Sequence, residues 1–137
     1  MAVADLIDGK AIAAKVRDEV RARVLALPSG APTPTLAVVL AGDDAASHVY
    51  VRHKERACAE VGIASIRVDL PATATTLDVL AEVVRLNQDP AVHGILVQLP
   101  LPRGVDSDAV LLAVDPSKDV DGFHPLNAGR LVAGAPR

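Results

Sequence analysis

The sequence predicts an α/β fold: a three-layer sandwich with a mostly parallel sheet flanked by helices on both faces. Three observations predict it. Segments of helical period alternate with short β-branched and aliphatic runs, the pattern of successive βα units. Two of those runs, residues 35–40 and 93–99, are almost wholly apolar, as strands covered on both faces must be. Clusters of Pro, Gly and Asp fall between the segments and not inside them. The 137 residues are expected to form one domain over positions 1–137.

Each element has its own signal. Over residues 9–27, Ile12, Val16, Val20, Val24 and Leu27 recur at three- and four-residue spacing, which predicts a helix with Asp8 as N-cap. Residues 28–34, rich in Pro and Gly, form a loop. Thr35 to Leu40 reads as a buried strand, and Gly42-Asp43-Asp44 turns the chain. A second helix over residues 45–61 ends at Gly62, placed as a C-cap glycine. Residues 65–70 alternate Ile66 and Val68 with Arg67 and Asp69, a half-exposed strand stopped by Pro71. Thr75 or Thr76 caps a third helix carrying Leu77, Leu80, Val83, Val84 and Leu86 and ending near Asn87. Residues 93–99 form the last full strand, ended by Gln98 and Leu99 and closed by Pro100-Leu101-Pro102. Asp106 or Ser107 opens a short helix reaching Val114. Beyond Asp115 the pattern is weak, with a short strand or helix at residues 130–132.

The formal net charge of −3 mixes both signs and lacks the basic footprint of a nucleic-acid binder. No apolar run approaches a membrane span, and Asp5 and Asp8 stand where a signal peptide needs positive charge. Cys58 is the single cysteine, so no intrachain disulfide can form; it reads as a small buried hydrophobe. A cytoplasmic protein that binds neither nucleic acid nor membrane is expected.

The only tyrosine, Tyr50, and the only phenylalanine, Phe123, both lie in polar, charged segments. Rings normally supply the largest core areas, so this placement points to a ligand. Ser47, Tyr50 and Lys54 are three and four apart, on one helix face. That face can offer a hydroxyl, a flat ring and a proton-exchanging amine; it can equally be a solvated surface with a snorkelling lysine. Gln98 is the one polar residue in the run Ile95 to Pro102. It could bond Lys54 or a ligand, or face water from an edge strand. The prolines beside it lack N–H groups and leave carbonyls free for a ligand. Asp121, on a glycine turn, can accept from a forked donor edge. A calcium loop is excluded, because Ala128 occupies the position that needs a bidentate Glu; His93 and His124 lack partners at zinc spacing. Tyr50-x-x-x-Lys54 also fits the acid–base pair of short-chain dehydrogenases, but no G-x-G-x-x-G precedes it.

Three stretches carry a resemblance: residues 47–54 (SHVYVRHK), 94–102 (GILVQLPLP) and 116–129 (PSKDVDGFHPLNAG). Ile7-Asp8-Gly9-Lys10 and residues 39–44 fit the same pattern. In this order they resemble the bifunctional methylenetetrahydrofolate dehydrogenase/methenyltetrahydrofolate cyclohydrolases, over nearly the whole chain. The resemblance implies that Lys54 is the general acid/base of the cyclohydrolase step. It implies that Tyr50 stacks on the folate ring, Gln98 orients Lys54 and Asp121 binds the pterin edge. Backbone around Val97, Leu99, Pro100 and Pro102 would line the folate slot, with Ser47 close by. It also implies tetrahydrofolate derivatives as substrates, NADP as cofactor of the full-length family, and a homodimer there. The alternative is a non-enzymatic tetrahydrofolate-binding module.

The family's Pro-Cys-Thr-Pro segment and its NADP-binding Rossmann domain are not found in these residues. Hydride transfer needs a cofactor held against the substrate. The expectations are therefore no NADP binding and no dehydrogenase activity from this chain alone, weak or absent hydration, and self-association through an exposed apolar patch.

Overall fold

The computed structural model describes residues 7–135. In chain order the elements are α1 (Gly9–Leu25), β1 (Thr35–Ala41), α2 (Ala45–Val61), β2 (Ala64–Leu70), α3 (Thr76–Gln88), β3 (Gly94–Val97), α4 (Ser107–Ala113) and α5 (Pro125–Val132). The strands form one parallel sheet in the order β2-β1-β3, with Thr35 opposite Ala64 and Val39 opposite Val97.

The expected three layers are present. Side chains alternate across β1, as strand geometry requires. Ala37, Val39 and Ala41 join Val79, Val83, Leu86, Val110 and Val114 from α3 and its successor on one face. Val38 and Leu40 join Val51 of α2 and Leu96 of β3 on the other. Because β1 connects through α2 to one neighbour while β3 lies on its other side, strand order reverses between β1 and β3. The carboxyl ends there open a crevice, the usual ligand position in such sheets.

Caps set the helix boundaries. Asp8 accepts from the N–H groups of Lys10 and Ala11. Thr75 and Asp78 form a reciprocal capping box, which settles the start of α3. Gly62 adopts φ 85° at the end of α2, the left-handed conformation suited to glycine.

Several expectations need correction. The first helix stops at Leu25, not at residue 27, because Leu27 precedes Pro28 and is disfavoured in α conformation. It packs chiefly on α2 and buries none of its residues, leaving Ile12 and Val16 about half exposed. The strand expected over residues 93–99 is Gly94–Val97. His93 and Gln98 still donate single bonds to Thr35 O and Val39 O, but Pro100 has no N–H to extend the ladder. Cys58 is only half-buried, since it lines the apolar seam between α1 and α2. The tail holds a complete helix, α5, begun by a His124 cap and Pro125 in its first turn. Among the described residues no helix is long and apolar enough to cross a membrane.

Candidate active site

Helix α2 begins at the crevice. Asp44 caps it, accepting from both the N–H and the hydroxyl of Ser47 at 2.7 Å. These bonds, the side-chain one foremost, hold the Asp44 carboxyl below its ordinary value. Ser47 is buried at 2% exposure, so its hydroxyl is committed to the helix start. Val51, one turn on, fills the core beneath the helix. Lys54 and Tyr50 flank that anchor. Helical side chains tilt toward the N-terminus, which sends the Lys54 stem back to the sheet rim.

Gln98 meets it there. Residues of β3 alternate, so Gln98 falls on the same face as Leu96, the face that α2 covers. Lys54 Nζ donates to Gln98 Oε1 at 3.2 Å, and Gln98 Nε2 donates to Leu99 O at 2.8 Å. With both ends bonded, the amide presents a fixed acceptor to the amine. The Leu99–Pro100 peptide is cis.

Asp121 arrives from a different segment. The backbone at residues 118–120 runs parallel to β3 on its outer side, bridging Ile95 to Asp119. Asp121 follows that single bridge, near enough to Lys54 for the two charges to interact. Desolvation raises the Asp121 carboxyl above its ordinary value; the Lys54 charge opposes this and the Asp119 charge adds to it. The residue is exposed overall, so this desolvation is partial. Asp119 behaves oppositely. Desolvation is its largest influence and raises it, yet bonds from Asn127, His124, Gly122 and Phe123 together hold it low.

Lys54, Gln98 and Asp121 are thus brought together, and Tyr50 stands beside them with 61% of its surface exposed. A hollow of about 550 Å³ touches this rim at Asp121, and another of about 220 Å³ touches it at Pro100 and Pro102. Neither is lined by Lys54, Tyr50 or Gln98. Val97 is buried as the last residue of β3, and its successors Leu99, Pro100 and Pro102 form the rim loop. Sequence reasoning missed the Asp44 cap, although Asp-x-x-Ser before a helix is a cap signature. It also missed the role of Lys118, described below.

A family profile described as the catalytic domain of tetrahydrofolate dehydrogenase/cyclohydrolase matches residues 7–121. The bifunctional protein FolD 2 of Geobacter metallireducens is 56% identical over 131 residues, covering 96% of this chain and 46% of the relative. The bifunctional protein FolD of Acidiphilium cryptum is 58% identical over 133 residues, covering 97% and 47%. Among solved structures, the methylenetetrahydrofolate dehydrogenase of the silkworm Bombyx mori superposes with a TM-score of 0.94 at 40% identity, covering 98% of this chain and 47% of its own. The Trypanosoma brucei dehydrogenase-cyclohydrolase, solved with NADP cofactor and an inhibitor, gives 0.89 at 38% identity, covering 96% and 45%. The chain spans less than half the length of these relatives. With the profile matched over most of its residues and its fold shared with the solved structures, this chain belongs to the tetrahydrofolate dehydrogenase/cyclohydrolase family, in the part that forms the catalytic domain.

Proposed function

We propose that this chain is the folate-binding catalytic domain of a cytoplasmic enzyme that interconverts 5,10-methylene-, 5,10-methenyl- and 10-formyl-tetrahydrofolate by NADP-dependent dehydrogenation and by hydration. The observation that supports it most is the bond from Lys54 Nζ to Gln98 Oε1, with Asp121 close enough for their charges to interact. Amine, amide and carboxylate share one edge beside an exposed phenol ring. A reduced pteridine suits that set: it has a flat face for Tyr50 and a forked N–H edge for the Asp121 carboxylate.

Hydration follows from the placement of Lys54. Water adds to the methenyl carbon and gives one proton to Lys54, which must enter this step as the neutral amine, leaving a neutral hydroxyl adduct. That proton then passes to N5, the bond from carbon to N5 breaks, the hydroxyl proton leaves to water and the formyl group stays on N10. Gln98 holds the amine in line for both transfers. Carbonyls near Val97, Leu99, Pro100 and Pro102 fix the folate against the rim.

A dinucleotide does not fit these residues. Its pyrophosphate would take the turn between β1 and α2, but that turn reads Gly42-Asp43-Asp44, and its carboxylates repel phosphate. No step is routed through the nucleotide here; these residues hold the folate and exchange its protons.

The test is hydration of 5,10-methenyl-tetrahydrofolate by the parent and by Lys54→Ala. Losing a positioned acid/base lowers the rate by about 10²–10⁴-fold. Equal rates would remove Lys54 from the mechanism. Binding of a tetrahydrofolate analogue without turnover by the parent would instead make the chain a binding module.

A further inference from the structure

Lys118 takes no part in the chemistry above, yet among the described residues its ammonium is the most fully engaged. Its Nζ donates to Leu86 O at 3.0 Å, to Asn87 O at 2.8 Å and to Asp89 O at 2.8 Å. All three ammonium hydrogens are used, on carbonyls at and just past the end of α3; Leu86 O also accepts from Asp89 N, and Asp89 O from Val92 N. The positive charge also sits at the negative end of the helix dipole.

The segment that Lys118 belongs to is tied down along its length. Asn87 accepts from Asp115 N at 2.9 Å and donates to Ala113 O at 2.8 Å. Lys118 O accepts from Ile95 N at 2.7 Å, which sets the segment in register on β3. Val120 lies over Gly94 so closely that a Cβ there would stand 2.6 Å from Val120 Cγ1. Asp119 then gathers the N–H groups of Gly122 and His124 and the amide of Asn127 at 2.9–3.0 Å. Every fastening precedes or surrounds Asp121, whose own carboxylate is left free for the rim.

We propose that Lys118 is a positioning residue for the folate site: by clamping residues 115–120 to the carboxyl end of α3, it fixes Asp121 opposite Lys54. This rests on the reading of Asp121 as the pterin-edge acceptor. Lys118 acts through Asp121, three residues away, and touches no substrate. The close approach of Val120 to Gly94 is the second fastening of the same lever.

The test is a carbon-detected NMR titration of the Asp121 carboxyl, together with calorimetric titration of a tetrahydrofolate analogue. The variants are Lys118→Met, which keeps the aliphatic stem, Gly94→Ala, and the double variant Gly94→Ala/Val120→Ala. In the parent, desolvation raises the Asp121 carboxyl above its ordinary value, the Lys54 charge opposes this, and the Asp119 charge adds to it. In Lys118→Met and in Gly94→Ala its midpoint should fall toward the ordinary value, and affinity for the analogue should drop by about tenfold or more, as misplacement of a positioned group predicts. The double variant removes the methyl that the new Cβ strikes, so it should regain the parent midpoint. Should Lys118→Met fail to fold, Gly94→Ala displaces the same segment and reads the same outcome. A simple stabilising cap would lower the unfolding midpoint without moving the Asp121 titration. An unchanged Asp121 midpoint in the folded variants would overturn the proposal. If the parent binds no analogue while Asp121 still responds to the variants, the folate reading fails and the positioning role stands.

Discussion

At Asp119, burial pushes the carboxyl up, but hydrogen bonds led by that of Asn127 pull it further down. A lowered native value means that the ionised carboxylate stabilises the fold at neutral pH, and that this is lost as pH falls through the acid range. Asp119→Ala should therefore cost about 1–3 kcal/mol at pH 7 in urea unfolding, the worth of bonds to a charged group. The deficit should shrink below about pH 4, where the unfolded carboxyl protonates. Two positions on, Asp121 has the opposite sign. Partial desolvation raises it although the residue is exposed, so the native state binds its proton more tightly than the unfolded state does, and stability falls slightly as pH rises through the carboxylate range. Asp121→Asn should thus leave stability at pH 7 unchanged or higher while weakening folate binding. Tyr50→Phe keeps the ring and loses the hydroxyl; hydration should change far less than in Lys54→Ala, and an equal collapse would contradict the stacking role. Gln98 was legible as a possible partner of Lys54, being the one polar residue of its run, but a water-facing edge glutamine read equally well; the hydrogen bond between them is seen only in the structure. Lys118 was not. Its partners are backbone carbonyls 29–32 positions away, and no side-chain pattern announces them.

Among the elements, α3 is the best anchored. Val79, Val83 and Leu86 are fully buried against the sheet, and the Thr75–Asp78 box closes its first turn. Leu86→Ala should lower stability by about 2–5 kcal/mol through the cavity it leaves. Thr75→Ala should cost about 1 kcal/mol by freeing the first N–H groups. Both appear as shifts of the urea midpoint at constant slope. The existence of α1 to α4 was legible from periodicity and caps. Helix α5 was only partly so: its brevity and Gly129 weaken the period, while the true signal was His124 before Pro125. The length of β3 was overread because the apolar run resumes at Leu99 after Gln98, and a run of side chains does not show where the ladder loses its donor.

The whole molecule follows from alternation of helix and strand, and the fold class was readable from that alone. Strand order was not. Nothing in residues 94–97 says that β3 joins β1 on the side away from β2, yet that choice creates the crevice and brings Gln98 under α2. Nor does local sequence show that α1 rests on α2 and leaves part of its stripe open, since periodicity reports a face and not its partner. The central claim is that Tyr50, Lys54, Gln98 and Asp121 form one folate platform. It is tested most directly by an NMR titration of the chain with a tetrahydrofolate analogue, followed at those four side chains. The account predicts that all four signals move together along one saturation curve. A titration to millimolar analogue in which they stay still, or respond with separate curves, would contradict it.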